Sequence, residues 1–307
     1  MMQIESLVFR LREAAAAAPA MPADLGAWRA GFRVQPDSFA TAFEAGLAAG
    51  QLGFCFAGGY QAALRALVPA LPVDAFAALL VTEGRQQRPE EIRTALQAQP
   101  GDRFRLDGEK SWVAGGPAAT HLLVLARHGS DVDGRLRSAL VLLSPQAAGV
   151  TLESRPANGF LDVVPHARAR FDAVAVDAGM ILPGDGWRDH ARPFRTIEDI
   201  HVSTAIAAHL AVQGLRRDWP APLLATLVAV LARLAQCAAR APGDPLTHLL
   251  LAGAEQELAQ ATAQTGALAA ADDDAFARDW RANGMLLAMA APARVKRLEK
   301  ALAVLRR

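Results

Sequence analysis

The sequence predicts an α+β fold in three parts, and three observations predict it. Apolar residues recur at helical spacing through the first 78 residues, alternate in short runs from Leu79 to about Leu182, and return to three- and four-residue steps beyond Gly186. The chain therefore divides into an N-terminal helical domain (1–78), a small antiparallel β-barrel or sandwich domain (79–182) and a C-terminal helical bundle (183–307). A length of 307 residues is more than one ordinary core needs and suits such a division.

Taken in order, residues 4–18 place Ile4, Leu7, Val8 and Leu11 at helical spacing and then run into alanines, with Pro19 and Pro22 stopping the pattern. From Asp37 to Leu67, the positions of Phe39, Phe43, Leu47, Leu52, Phe56, Leu64 and Leu67 predict further helices. An interruption is expected at Gly58 and Gly59, because glycine weakens a helix interior. Leu79-Leu80-Val81-Thr82 is the first β-prone run. Phe104-Arg105-Leu106 alternates and meets Asp107-Gly108, which predicts a turn. Residues 121–126 and 138–143 form an apolar pair around the polar loop from Gly129 to Gly134, and 169–176 alternates again. Leu223, Leu224, Leu227, Val228, Leu231 and Leu234 mark a helix over 222–239. Asp244 and Pro245 supply an N-cap and a first-position proline for a helix to about Ala263, and another helix is expected over 293–307.

Composition excludes several classes of partner. With 32 basic and 31 acidic side chains the formal net charge is +1, so no long-range field would gather nucleic acid or an anionic membrane. Residues are 52% hydrophobic, yet no run of about 18 uncharged apolar residues is present. Cys55 and Cys237 stand far apart, which argues against a disulfide framework or a zinc site and fits a reducing cytoplasm. Charged residues within the first helix distinguish it from an export signal. His190, His201 and His209 offer no third ligand at a metal-binding spacing, so no metal is expected.

Two stretches carry a resemblance. Leu79-Leu80-Val81-Thr82-Glu83, and then Phe104-Arg105-Leu106-Asp107-Gly108-Glu109-Lys110-Ser111-Trp112-Val113-Ala114-Gly115-Gly116, resemble the T-E-P strand and the L-N-G-x-K-x-W-I-T-N-G hairpin of the acyl-CoA dehydrogenase flavin domain. The segments 118–127, 171–174 and 184–187 match later parts of that domain in order. More faintly, residues 216–223 resemble the family's R-x-x-F-G-x-P-I, while Gln260, Gly266 and Arg278-Asp279 fall at the spacing of its Q-x-x-G-G-x-G and R-D. The helical parts are shorter than is usual in the family, so the chain resembles a trimmed, divergent member.

The resemblance implies an acyl-CoA dehydrogenase-like fold, an FAD cofactor and an acyl-CoA-type substrate. It places Trp112 against the flavin ring, Thr82 in hydrogen bonding to it, and Val113 and Ala114 beside it. Arg216 would reach the cofactor of a neighbouring subunit, which implies a homodimer or homotetramer. Three positions depart from the family pattern. The pyrophosphate turn reads Gly84-Arg85-Gln86-Gln87-Arg88-Pro89, so Arg85 and Arg88 would supply charge in place of backbone donors, or else lie solvated. Ala114 stands where a hydroxyl would face the flavin, and Leu287 where many members carry the glutamate that takes the α-proton. A minority of the family carries that base at the start of the first helix of the C-terminal domain, where this chain has Glu198. On the residues alone, Glu198 equally suits a first helical turn, where an acid favours the helix dipole. Three functions follow as expectations: α,β-dehydrogenation of an acyl thioester, a scaffold that has lost flavin chemistry, and a flavin monooxygenase on the same fold.

Overall fold

The computed structural model describes residues 4–18, 21–84, 89–130, 136–288 and 291–306. Arg85 and Arg88, and most of the loop from Gly129 to Gly134, lie outside the described residues. The chain folds as two compact units, a helical one of Met1–Pro69, Gly159–Val163 and Thr196–Arg307, and a β-rich one of Ala70–Asn158 and Val164–Arg195.

In the helical unit the N-terminal part supplies α1 (Ile4–Ala16), α2 (Leu25–Gly31), α3 (Ser38–Leu47) and α4 (Leu52–Leu67). The C-terminal part supplies α5 (Arg192–Arg216), α6 (Ala221–Ala238), α7 (Pro245–Ala269), α8 (Ala275–Asn283) and α9 (Ala291–Leu305). Aspartates set several starts. Asp24, Asp37 and Asp274 each accept the N–H three residues on, at 2.7–2.9 Å, and Asp244 accepts that of Leu246 at 2.9 Å, just past Pro245. Each such cap is worth about 0.5–2 kcal/mol. The centre of the unit is α5, buried on all sides from Asp199 to Gly214.

Gly58 and Gly59 do not interrupt α4, which is continuous through both. They are packing points. A Cβ on Gly59 would lie 2.5 Å from Val202 Cα of α5, one on Gly58 would meet Ala45 Cβ at 2.4 Å, and one on Gly46 of α3 would meet the Ala205 carbonyl at 2.2 Å. The propensity lost at these glycines is offset by burial that only a close helix–helix approach allows. The nearest thing to a membrane-length apolar run is α6, which by length and composition could cross a bilayer. Here its Leu223, Leu227, Leu231 and Leu234 are buried, and Arg233 interrupts the run to pair with Glu257 of α7 at 2.8 Å.

The strands are β1 (Ala77–Leu80), β2 (Ala95–Gln99), β3 (Arg103–Ala114), β4 (His121–Ser130), β5 (Leu136–Leu143), β6 (Val150–Ser154) and β7 (His166–Asp177). They form one seven-stranded sheet in the order β1-β4-β2-β3-β7-β6, with β5 paired to β4. The sheet is mixed where purely antiparallel pairing was expected. β1 runs parallel to β4, and so does β2 through the pair Ala95 and Arg127. A β2–β3 excursion of some forty residues separates β1 from β4, long enough for a parallel return. Asp107-Gly108 is not the turn either. The β2–β3 hairpin closes at Pro100-Gly101-Asp102, where Gly101 and Asp102 have φ of 77° and 52°, and β3 runs on through Gly108. Gly108 instead lets β3 pass Thr94, whose Cα would lie 2.6 Å from a Cβ there.

Burial holds the imidazoles of His201 and His209 in α5 down at about 4, so both are neutral in the folded protein at neutral pH. The unfolded chain takes up these protons near pH 6.5, so their contribution to stability is complete above that pH and is lost as pH falls towards about 4. Denaturant unfolding at a series of pH values between about 7 and 4 is expected to show this loss, with a shallower slope for His201→Gln. An unchanged slope in that variant would remove His201 from the account.

Candidate active site

Strands β3 and β7 fall out of step twice, and this decides what the β-unit shows to solvent. Leu106 pairs with Val174 but Gly108 with Phe171, so β7 carries the extra residue first, around Asp172 and Ala173. Ala173 has φ 50°, and its N–H donates to Asp107 at 2.9 Å. Lys110 then pairs with Ala169 but Val113 with Ala167, so the second extra residue lies in β3, at Ser111 and Trp112. Inward positions on β3 therefore switch from Leu106 and Lys110 to Val113. Trp112, which unbroken alternation would bury, turns outward and is 44% exposed.

Around Trp112 the unit gathers polar groups. The Arg155 guanidinium lies over the indole at 4.6 Å and the His166 ring stands 4.7 Å away. Burial, reinforced by the charge of Arg155, lowers the His166 pKa and favours its neutral form. Ser111, the displaced residue, donates its N–H to the Thr82 carbonyl at 2.9 Å, accepts the Gly84 N–H on its hydroxyl at 2.7 Å, and accepts from Arg155 on its carbonyl at 2.9 Å. Thr82, Ser111 and Trp112 are thus joined into one surface. Val113 is fully buried and Ala114 nearly so, which leaves Val113's side chain in the sheet core.

Lys110 went unassigned in the sequence, although it stands at the lysine of the hairpin pattern. Its ammonium is fully buried, 2.6 Å from Glu83 and 3.3 Å from the Val81 carbonyl. Glu83 also accepts the N–H groups of Arg93 and Thr94 at 2.6 and 3.1 Å. Lys110 and these donors hold the Glu83 carboxyl below its usual range against the opposing effect of burial. A single carboxylate thus ties the segment after β1 to both β2 and β3.

The remaining assigned residues lie in the helical unit. Arg216 ends α5 and donates to the carbonyls of Ala14, Ala15 and Ala17 at 2.7, 3.3 and 3.0 Å, capping the C-terminus of α1. Asp279 accepts the Leu52 N–H at 2.7 Å and so caps α4, whose own N-cap residue Gln51 makes no side-chain capping bond. Glu198 is half-buried and does not stand in a first helical turn. A π-helical turn (Gly186–Ala191) runs straight into α5 at Arg192, and the first turn of α5 holds no acid. The dipole explanation therefore does not apply to it. Next to it, Asp199 is buried between Arg294, at 2.9 Å, and Arg297 of α9. Glu255 of α7 shares these arginines, and burial pushes its carboxyl up to about 7. His201 is satisfied at both nitrogens, by the Ile197 carbonyl at 2.7 Å and by Ser38 Oγ at 2.8 Å.

No protein-family model matches the sequence, and no curated protein matches it significantly. Solved structures do match. Butyryl-CoA dehydrogenase from Megasphaera elsdenii aligns over 99% of both chains with a TM-score of 0.72 at 12% identity. Glutaryl-CoA dehydrogenase from Mycobacterium smegmatis in complex with FADH2 aligns over 98% of this chain and 95% of its own, at 0.67 and 14%. The prolyl acyl carrier protein oxidase AnaB aligns over 98% and 93%, at 0.62 and 16%. The fold is therefore acyl-CoA dehydrogenase-like, as the motifs at 79–83 and 104–116 implied.

The buried pair makes a direct test of how the site is held. Glu83→Gln leaves the Lys110 ammonium buried without its counter-charge and is expected to cost about 3–5 kcal/mol in denaturant unfolding. The double variant Glu83→Gln with Lys110→Met, which removes both charges and keeps an acceptor for the N–H groups of Arg93 and Thr94, is expected to lose less than the single one. A double variant less stable than Glu83→Gln would show that the pair is not coupled in this way.

Proposed function

We propose that the protein is a flavin-dependent oxidoreductase that dehydrogenates an acyl thioester between its α- and β-carbons. The observation that carries this reading is Trp112, an aromatic side chain turned out of its sheet by a local strand irregularity at the place where the resemblance puts a flavin wall. Bulges re-aim side chains next to functional sites, and an exposed indole with a cation and a neutral imidazole beside it fits a flat, anionic, aromatic cofactor. FAD, when bound, supplies the hydride acceptor.

Within this reading the chain's own groups divide the work. Trp112 gives the ring a flat apolar support, and Arg155 supplies positive charge beside it. Thr82, held to β3 through Ser111, offers a hydroxyl. Glu198 takes the proton from the substrate α-carbon on its carboxylate, since 285–288 carries no acid to do so. Its place on α5 is fixed by the ion pairs of Asp199 beside it. The AnaB match supports a thioester on coenzyme A or on a carrier protein alike. The second reading, a scaffold without flavin chemistry, is favoured by Ala114, which offers no hydroxyl, and by the use of Arg216 as a helix cap.

Two measurements separate these readings. Purified protein titrated with FAD is expected to retain flavin absorbance, and anaerobic addition of an acyl-CoA is expected to bleach it. Glu198→Gln should bind as much flavin and bleach about 10² to 10⁴ times more slowly. Protein that takes up no FAD would leave the scaffold reading, and equal bleaching in the variant would remove Glu198 from the reaction. Light scattering is expected to give a multiple of 32.5 kDa, because α1 exposes Phe9 and Val8.

A further inference from the structure

The helical unit holds a cavity of about 390 Å³ that none of this chemistry uses. Its volume is within the range of about 300–1,000 Å³ common to small-molecule pockets. One wall is closed on itself. Arg10 of α1 grips Glu44 of α3 with two bonds, at 2.8 and 2.6 Å, and Glu13 with a third at 2.6 Å, so both carboxylates are already engaged.

The wall formed by α5 is different. His209, Gln213 and Arg216 line the cavity at positions i, i+4 and i+7, one face of the helix. His209 is 1% exposed, and its Nε2 has no hydrogen-bond partner among the described residues. A buried polar atom left unmatched is costly and rare, and it points to a group that completes it. Gln213 accepts from Arg217 on its side-chain oxygen, which leaves its amide N–H₂ to donate. Arg216 uses Nε and one Nη on the carbonyls of α1, which leaves its second Nη, and no carboxylate neutralises it among the described residues. Over the whole lining, Arg10 and Arg216 balance Glu13 and Glu44, but the acids are held on the Arg10 wall, and the face of α5 presents N–H groups and the Arg216 guanidinium with no carboxylate bonded to it among the described residues, which suits a small acceptor carrying negative charge.

We infer that this cavity binds a small carboxylate, its oxygens accepting from Arg216 Nη1, the Gln213 amide and neutral His209 in the tautomer that carries its proton on Nε2. Neither the volume nor the donor set depends on the flavin reading, and the site lies wholly within the helical unit.

Isothermal titration calorimetry of the full chain with butyrate, and with butyramide as its neutral isostere, tests the inference. Saturable butyrate binding is expected, at least about tenfold tighter than butyramide binding, because hydrogen bonds to a charged group are the stronger. His209→Leu and Gln213→Leu are each expected to weaken butyrate about tenfold or more. The unfolding midpoint of His209→Leu should be unchanged or raised, since the substitution removes an unmatched polar group. If His209→Leu does not fold, Gln213→Leu carries the test alone. Butyrate that does not saturate, that binds no better than butyramide, or that binds both variants as well as the native chain would overturn the inference. Displacement of butyrate by FAD would overturn it too, by assigning the cavity to a nucleotide cofactor.

Discussion

The β-unit depends on two residues that do not count. Strand β3 meets β7 along twelve residues, and each strand contributes one that the other does not match, first in β7 and then in β3. A strand has two faces and a period of two, so each extra residue exchanges the later side chains of its own strand between core and solvent. Between the mismatches lies Lys110, placed inward where a lysine is tolerated only with a partner. Glu83 provides that partner, and through its backbone donors it draws the segment after β1 down to β2. Within the second mismatch lies Trp112. The buried charge pair and the exposed indole are two results of one register.

The helical unit is organised by a different constraint, the thickness of side chains. Helix α5 is buried all round, and α3 and α4 approach it closely enough that glycine stands at the contacts. Packing of that closeness leaves a buried polar group few ways to find a partner. His201 finds two, and Thr204 bonds back to the Ile200 carbonyl at 2.7 Å. His209, two turns further along, faces the cavity beside Arg216.

Much of this was legible in the sequence, for local reasons. The helices over 221–238 and from Asp244 onward follow directly from apolar spacing and a cap, both read within a few residues. β2 and β6 were not legible, because Ala95–Gln99 and Val150–Ser154 carry few large apolar residues and are held by their neighbours in the sheet. Asp107-Gly108 and Gly58-Gly59 misled for one shared reason. Glycine serves a turn, a weak helix and a close approach alike, and only the partner, Thr94 in one case and Ala45 or Val202 in the other, tells which. Trp112 could be picked out by motif, but its direction could not, since that rests on a mismatch against β7 some fifty residues later. The cap that Arg216 makes on α1 spans about two hundred residues and leaves no mark near either end.

The second mismatch separates two kinds of genetic change that are usually ranked by size alone. Most single replacements along β3 alter one side chain and leave the register in place. Loss of one codon at Ser111 would restore even alternation with Lys110 inward, the indole still outward and Val113 still opposite Ala167, and would remove only the bonds that Ser111 makes to Thr82, Gly84 and Arg155. The direction of the indole therefore survives either length, and what the extra residue adds is the link from β3 to Thr82, Gly84 and Arg155, so a relative one residue shorter here should keep the aromatic surface and lose that link.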